Sequence, residues 1–293
     1  MKRVLLAPFV VMLVAVSGCA SLVRATGPVS QSQSWDKFTR VEVRVRNGNV
    51  ELRSGGVEQI KVTGQKYAGG ATAAEAQANL DRVEIYTGAA SEDPDTFLVE
   101  LRFPEDLRNK SVGADLVIEV PKPCAAKVAT SNGSIHVARL AGNVELQTSN
   151  GSVLAQDIQG PLKAGTSNGR IEIAQVDGDV TASSSNGGVT TQDIRGACVL
   201  TTSNGDIRAV AALSSGSRVE LRTSNGSIHA TLPASLAAEL KLRTSNGRVH
   251  VTLADAALKD VDAAKTHYHA VMNGGGGSVV AETSNGSITV DAR

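Results

Sequence analysis

Aromatic side chains are scarce in this 293-residue chain: one Trp, three Tyr and four Phe, 3% in all. A core must therefore be filled by Val, Ile, Leu and Ala. A sugar-binding surface of stacked rings is disfavoured too, because the single Trp, Trp35, lies before the main repeat array. Charge of one sign is also missing. Twenty-nine Lys and Arg balance twenty-nine Asp and Glu, so no basic excess exists to hold nucleic-acid phosphates. Eight prolines are too few for rigid linkers, and three cysteines are too few for a disulfide framework. No apolar run reaches bilayer length: the longest, residues 5–16, is interrupted by Pro8 and falls well short of the roughly 20 residues a spanning helix needs.

That short run has another meaning. Met1, Lys2 and Arg3 precede it and Val16-Ser17-Gly18-Cys19 follows, the layout of a secretory leader with a positive start. Its end resembles a bacterial lipobox, in which the cysteine is lipidated after cleavage. The expectation is a signal peptide at 1–18 and lipidation, palmitate included, at Cys19. More than one acyl chain suffices for stable anchoring. Ala20 in place of Asp resembles outer-membrane sorting. The chain is thus expected to be exported and lipid-anchored, with the periplasmic or surface side left open. Residues 20–34 are small and polar and include Gly27-Pro28, so 19–35 reads as a lipidated tether.

What the chain has in abundance is repetition. Ser-Asn-Gly occurs eight times, as Asn132-Gly133, Asn150-Gly151, Asn168-Gly169, Asn186-Gly187, Asn204-Gly205, Asn225-Gly226, Asn246-Gly247 and Asn285-Gly286. The first five asparagines lie 18 residues apart; the later gaps are 21, 21 and 39. From Gly133 to Gly205 a glycine recurs every nine residues. Two and four places after these glycines stand apolar pairs such as Ile135 and Val137, Val144 and Leu146, and Ile171 and Ile173. This period-two alternation describes a strand with one buried face. Leu140, Ile158, Val176 and Ile194 break the phase and imply a bend that returns an apolar side chain inward.

Asn-Gly between apolar runs is also a hairpin signal, so an antiparallel meander is the rival fold. It would leave one very wide sheet with its apolar face uncovered. A parallel β-solenoid of 18-residue rungs covers that face by setting two sheets across a thin core. In this reading glycine supplies turn dihedrals, the asparagines form a ladder between rungs, and Thr130, Thr148, Thr166, Ser184, Thr202, Thr223, Thr244 and Thr283 point inward to satisfy corner backbone groups. Cys124 and Cys198 would lie about four rungs apart, about 20 Å at ~4.8 Å per rung, beyond disulfide reach. Cys198 falls on the inward phase.

The expected organisation is the leader and tether, irregular β rungs at 36–127 with a helical insertion near 71–82, and the repeat solenoid at 128–293. Residues 254–276 interrupt the array with a helix-like stretch and a glycine run, and are expected to shield the end of the coil.

The lipidated leader, Val120-Pro121 before the array and the repeated Thr-Ser-Asn-Gly-x-Ile/Val resemble the bacterial putative-adhesin family of β-strand-repeat proteins of unknown function. The resemblance covers residues 36–293. It implies a surface or periplasmic β-solenoid and carries no catalytic or ligand residues with it.

Other chemistries fit poorly. Calcium-binding β-rolls need an aspartate in every turn, whereas Asp157, Asp177, Asp179, Asp193 and Asp206 occupy scattered repeat positions. A hexapeptide acyltransferase helix needs a period of six, and a pectate-lyase-like site needs clustered carboxylates on one outer face. Gly274 to Gly277 lacks the Lys-Ser/Thr of a phosphate loop. Two histidine pairs, His229 with His250 on neighbouring rungs and His267 with His269 around Tyr268, are the candidates for metal binding; the plainer reading is solvent-facing polar residues. No cofactor is expected. The functional expectation is a non-enzymatic, lipid-anchored envelope protein, an adhesin or binding scaffold with envelope or surface protein partners. A structural or envelope-stress accessory and an unrecognised polysaccharide-active enzyme are the alternatives.

Overall fold

The computed structural model describes residues 23–292 except 36, 57, 122–123, 212–215 and 255. The expected leader at 1–18 and Cys19 lie outside the described residues. Each nine-residue half of the repeat makes a short strand whose apolar face can be hidden only against other strands. The chain hides it by winding, sending alternate halves into a first sheet of 12 strands and a second of 13. In the first sheet Ile135, Val153, Ile171, Val189, Ile207 and Ile228 form one parallel row. In the second sheet Ala126, Val144, Leu162, Val180, Cys198 and Val219 form the facing row. All of these are buried. Parallel pairing at a separation of 18 residues is what a coil requires, and it excludes the meander. The fold is a β-solenoid.

The phase shift within each rung has a local cause. Arg139, Asp157, Gln175 and Asp193 all adopt left-handed backbone, with φ of 59°, 55°, 57° and 55°. Each inserts one extra outward residue, so that Leu140, Ile158, Val176 and Ile194 turn back into the core. Aspartate tolerates this region better than arginine or glutamine does.

Four expectations are corrected. The glycines of the eight Ser-Asn-Gly corners do not have left-handed φ; such values occur instead at Gly48, Gly142 and Gly160. What the corner glycines provide is room: a methyl group on Gly169 would fall inside van der Waals contact of the Gly151 carbonyl oxygen, and the same holds from rung to rung along the column. Second, the rungs do not stack in chain order at the C-terminal end. Ile288–Ala292 lies between Ile228–Leu232 and Val249–Leu253, and Gly277–Thr283 lies between Arg218–Arg222 and Ala238–Thr244. The last rung is slotted into a gap left two rungs earlier, which explains the 39-residue spacing before Asn285.

Third, the described residues of 254–276 are not helical. Leu258–Ala264 and His267–Met272 form an antiparallel hairpin laid on the edge of Ala238–Thr244. Its alternation prevails over the helix propensity of its alanines, because Tyr268, Ala270 and Met272 match Leu242, Leu240 and Ala238. Fourth, most of the expected tether is a strand. Val23–Ser34 pairs antiparallel with all twelve residues of Gln59–Gly70, whose backbone groups would otherwise be left open at the sheet edge. Its outward side chains are small and polar, which suits an edge strand as well as it suits a linker.

The helical insertion forms as expected, at Ala73–Asp81. The Thr72 hydroxyl accepts from Glu75 N–H at 3.1 Å, while the Glu75 carboxylate reaches back to Ala71 N–H at 2.8 Å. Among the described residues no helix is long and apolar enough to cross a membrane.

Two stability changes follow. Gly169→Ala forces adjacent rungs apart and is expected to cost about 3 kcal/mol. Thr191 carries the one buried side-chain polar atom without a hydrogen-bond partner among the described residues, so the near-isosteric Thr191→Val is expected to stabilise by about 1 kcal/mol. Denaturant unfolding of both variants measures the two opposite signs.

Candidate functional site: the Thr-Ser-Asn-Gly corner

The corner is built from four columns. Threonine points inward, the serine and asparagine that follow point out, and glycine lets the next rung approach. The Thr166 hydroxyl donates to the Gly151 carbonyl of the preceding rung at 2.9 Å and accepts the Gly169 N–H of its own rung at 3.1 Å. Thr148, Ser184 and Thr244 repeat both bonds. Thr202, Thr223 and Thr283 make the first at 2.8–2.9 Å. One hydroxyl thus satisfies two main-chain groups in a place water does not reach. The inward phase and capping role expected of this column are what the structure shows.

Outside it runs the asparagine ladder. From Asn132 onward each Nδ2 donates to the Oδ1 of the asparagine before it at 2.7–2.9 Å, in the order Asn47, Asn132, Asn150, Asn168, Asn186, Asn204, Asn225, Asn285, Asn246, while Asn47 Nδ2 itself donates to the Val112 carbonyl. All eight expected asparagines are in the row, with Asn285 and Asn246 exchanged. Asn47 is an additional member, and its signal was the Asn-Gly that opens the first irregular rung.

Several shallow clefts lie on the outside among the described residues. One of about 670 Å³ is lined by Arg46, Arg102, Arg108, Glu100, Glu105 and Phe103 among others. Its charges are largely spent on one another. Arg102 pairs with Glu100 at 2.7 Å and stacks on Tyr86, Arg108 lies 3.8 Å from Glu105, and Arg46 donates to the Arg108 carbonyl. A second, of about 300 Å³, follows the left-handed column past Asp157, Gln175 and Asp193. A third, about 410 Å³, runs along the serine column beside Arg222 and Arg243.

The histidine pairs come out differently from one another. His229 and His250 are not adjacent, because the slotted-in rung places Thr289 between them; His229 instead lies 3.6 Å from Asp291. His267 and His269 do share one strand and one face. His267 lies 3.4 Å from Asp262, and His269 contacts Glu239 at 2.9 Å, a hydrogen bond that holds the Glu239 carboxyl below its ordinary range with help from Lys241. No group of three or more His, Cys, Asp or Glu is placed to hold a metal among the described residues. Cys124 and Cys198 are both free and buried, and burial pushes each thiol up to about 12, which leaves them inert as nucleophiles at neutral pH.

A family profile described as Toastrack DUF4097 matches residues 38–291. No curated protein matches the chain. Among solved structures, the chain is similar to one described as a putative adhesin from Parabacteroides distasonis ATCC 8503, with 14% identity, 91% of this chain and 97% of that chain covered, and a TM-score of 0.47. A second, from the same organism and described as a putative lipid binding protein, has 12% identity, 90% and 96% coverage and a TM-score of 0.48. A third, a putative adhesin from Parabacteroides merdae ATCC 43184, has 12% identity, 92% and 96% coverage and a TM-score of 0.45.

The corner predicts an order of mutational cost. Thr166→Val strands a buried carbonyl and a buried N–H and is expected to lose about 2–3 kcal/mol. Asn168→Ala removes exposed ladder bonds and is expected to lose about 1 kcal/mol. Equilibrium unfolding of both variants gives the order, and a larger loss for the asparagine would reverse the assignment.

Proposed function

The chain belongs to the Toastrack DUF4097 family, and from that premise we propose that it is a non-enzymatic, lipid-anchored scaffold of the bacterial cell envelope that presents a rigid face to a macromolecular partner, as an adhesin does. One observation carries the reading. The outward row of the first sheet runs His136, Leu154, Glu172, Thr190, Arg208, His229, Thr289, His250. The backbone under it is held in fixed register by the corner, yet no two neighbours in the row are chemically alike. A regular frame that displays an individual sequence of side chains suits recognition of a protein or envelope polymer over a long contact. Turnover of a small substrate needs a concave, convergent site instead.

Anchoring through a lipid on Cys19 complements this. Only residues 20–22 separate that cysteine from the strand Val23–Ser34, a reach of roughly 10 Å. The body is then held close to the bilayer, where a flexible stalk would have let it roam. The partner on this reading is another envelope component, with nucleic acid excluded by the charge balance.

Metabolic labelling with a palmitate analogue, followed by membrane fractionation and capture of envelope components on the purified protein, tests the proposal. The wild-type chain is expected to take up label, sediment with membranes and retain a specific envelope component. Cys19→Ser is expected to lose the label and leave the membrane fraction while keeping the captured component. A labelled, membrane-bound Cys19→Ser chain defeats the anchor, and capture unchanged by charge reversal at Glu172 and Arg208 defeats the recognition face.

A further inference from the structure

The two ends of the solenoid are finished differently. At one end, Ala73–Asp81 and the long antiparallel pair Val23–Ser34 with Gln59–Gly70 close the stack. At the other, the sheets stop at unequal heights. The first ends with Val249–Leu253, while the second continues for two more strands, His267–Met272 and then Leu258–Ala264. At about 4.8 Å per strand the step is about 10 Å.

Apolar surface is left open on both sides of that step. Ile288 and Val290 are fully buried, but their neighbours Val249 and Val251 in the terminal strand are only half-buried. Among the described residues the exposed large apolar side chains are Leu258, at 38%, and Val261, at 53%. Both lie on the overhanging outermost strand. Leu258 pairs with buried Met272 and so shares its inward face, where no strand of the first sheet stands opposite.

We propose that this end is a self-association surface, and that the occupant is a second copy of the chain related by a two-fold axis. The step itself is the argument. An axis parallel to the strands, in the midplane between the sheets, exchanges the first sheet for the second and reverses the direction of the coil. The two-strand overhang of each copy then fills the two-strand deficit of the other. Leu258–Ala264 comes to lie antiparallel beside Val249–Leu253 of the second copy, and both sheets run on without a gap. The left-handed Asp260 bulges the strand, so Leu258 and Val261 carry the contact more than a full main-chain ladder does. A closed two-fold pair also covers both sheet edges at this end.

Sedimentation equilibrium of the full chain in density-matched detergent tests this without reference to the anchor or the envelope partner. The wild-type protein is expected to be a dimer. Val261→Lys and Leu258→Lys, at exposed positions that a single copy does not need for folding, are expected to raise the dimer dissociation constant at least about 10-fold, with unchanged circular dichroism and unchanged melting of the dilute monomer. A wild-type protein that stays monomeric at roughly 100 μM overturns the proposal. So does a dimer indifferent to both lysines, or assembly into chains longer than two.

Discussion

Everything in this molecule rests on how closely one rung can approach the next at the corner. The glycine column removes the side chains that would hold the rungs apart, and the threonine column meets the main-chain groups that such closeness would otherwise bury unpaired. Neither works without the other. Glycine alone would leave a carbonyl and an N–H dry and unsatisfied, and threonine alone would have no neighbour near enough to bond. The outer asparagine ladder is a consequence: once the backbones are in register, side chains 18 residues apart are brought to hydrogen-bond distance. The aliphatic core likewise follows from the corner, because it fixes which residues meet across the two sheets.

This division of labour explains the composition. A thin interior between two sheets has no space for large rings, and its residues are Val, Ile, Leu, Ala and two cysteines at four-carbon scale or smaller. Aromatic packing appears where the regular winding has not yet begun, at Trp35, Phe38 and Phe97, whose rings lie 5.1–5.9 Å apart in sequence of contact. The irregular first rungs use ordinary globular packing to start a structure that the repeats then continue by rote.

Much of this was legible in the residues. Period nine, period-two alternation and the phase slip at Leu140, Ile158, Val176 and Ile194 state a two-sheet coil with a bend in every rung. The identity of the bending residue was not legible, since Arg139 and Gln175 are poor advertisements for left-handed backbone. Nor was the reason for glycine, because a sequence shows where a side chain is absent and not what would have struck it. The stacking order of the last rungs was also hidden. Local pattern gives each strand its partners' chemistry, and Val249, Ile288 and Ile228 are interchangeable in that respect; only the path of the chain decides which sits in the middle. The Val23–Ser34 strand was missed for a related cause: edge strands and linkers draw on the same small polar residues. For the outward row of the first sheet the repeat gave the frame and no ligand, because the outward positions are free of the constraints that make the inward ones readable.

The slotted-in final rung gives the molecule a keystone. A solenoid ordinarily grows by adding each new turn to the one just made, so that folding can follow synthesis from one end. Here the turn at 238–253 is separated from the turn at 218–232 by residues 277–292. Residues 277–292 fill the space between them and bond on both sides, at Ile228 and at Val249. The turns at 218–232 and 238–253 are therefore joined through residues 277–292, by contacts of high sequence separation.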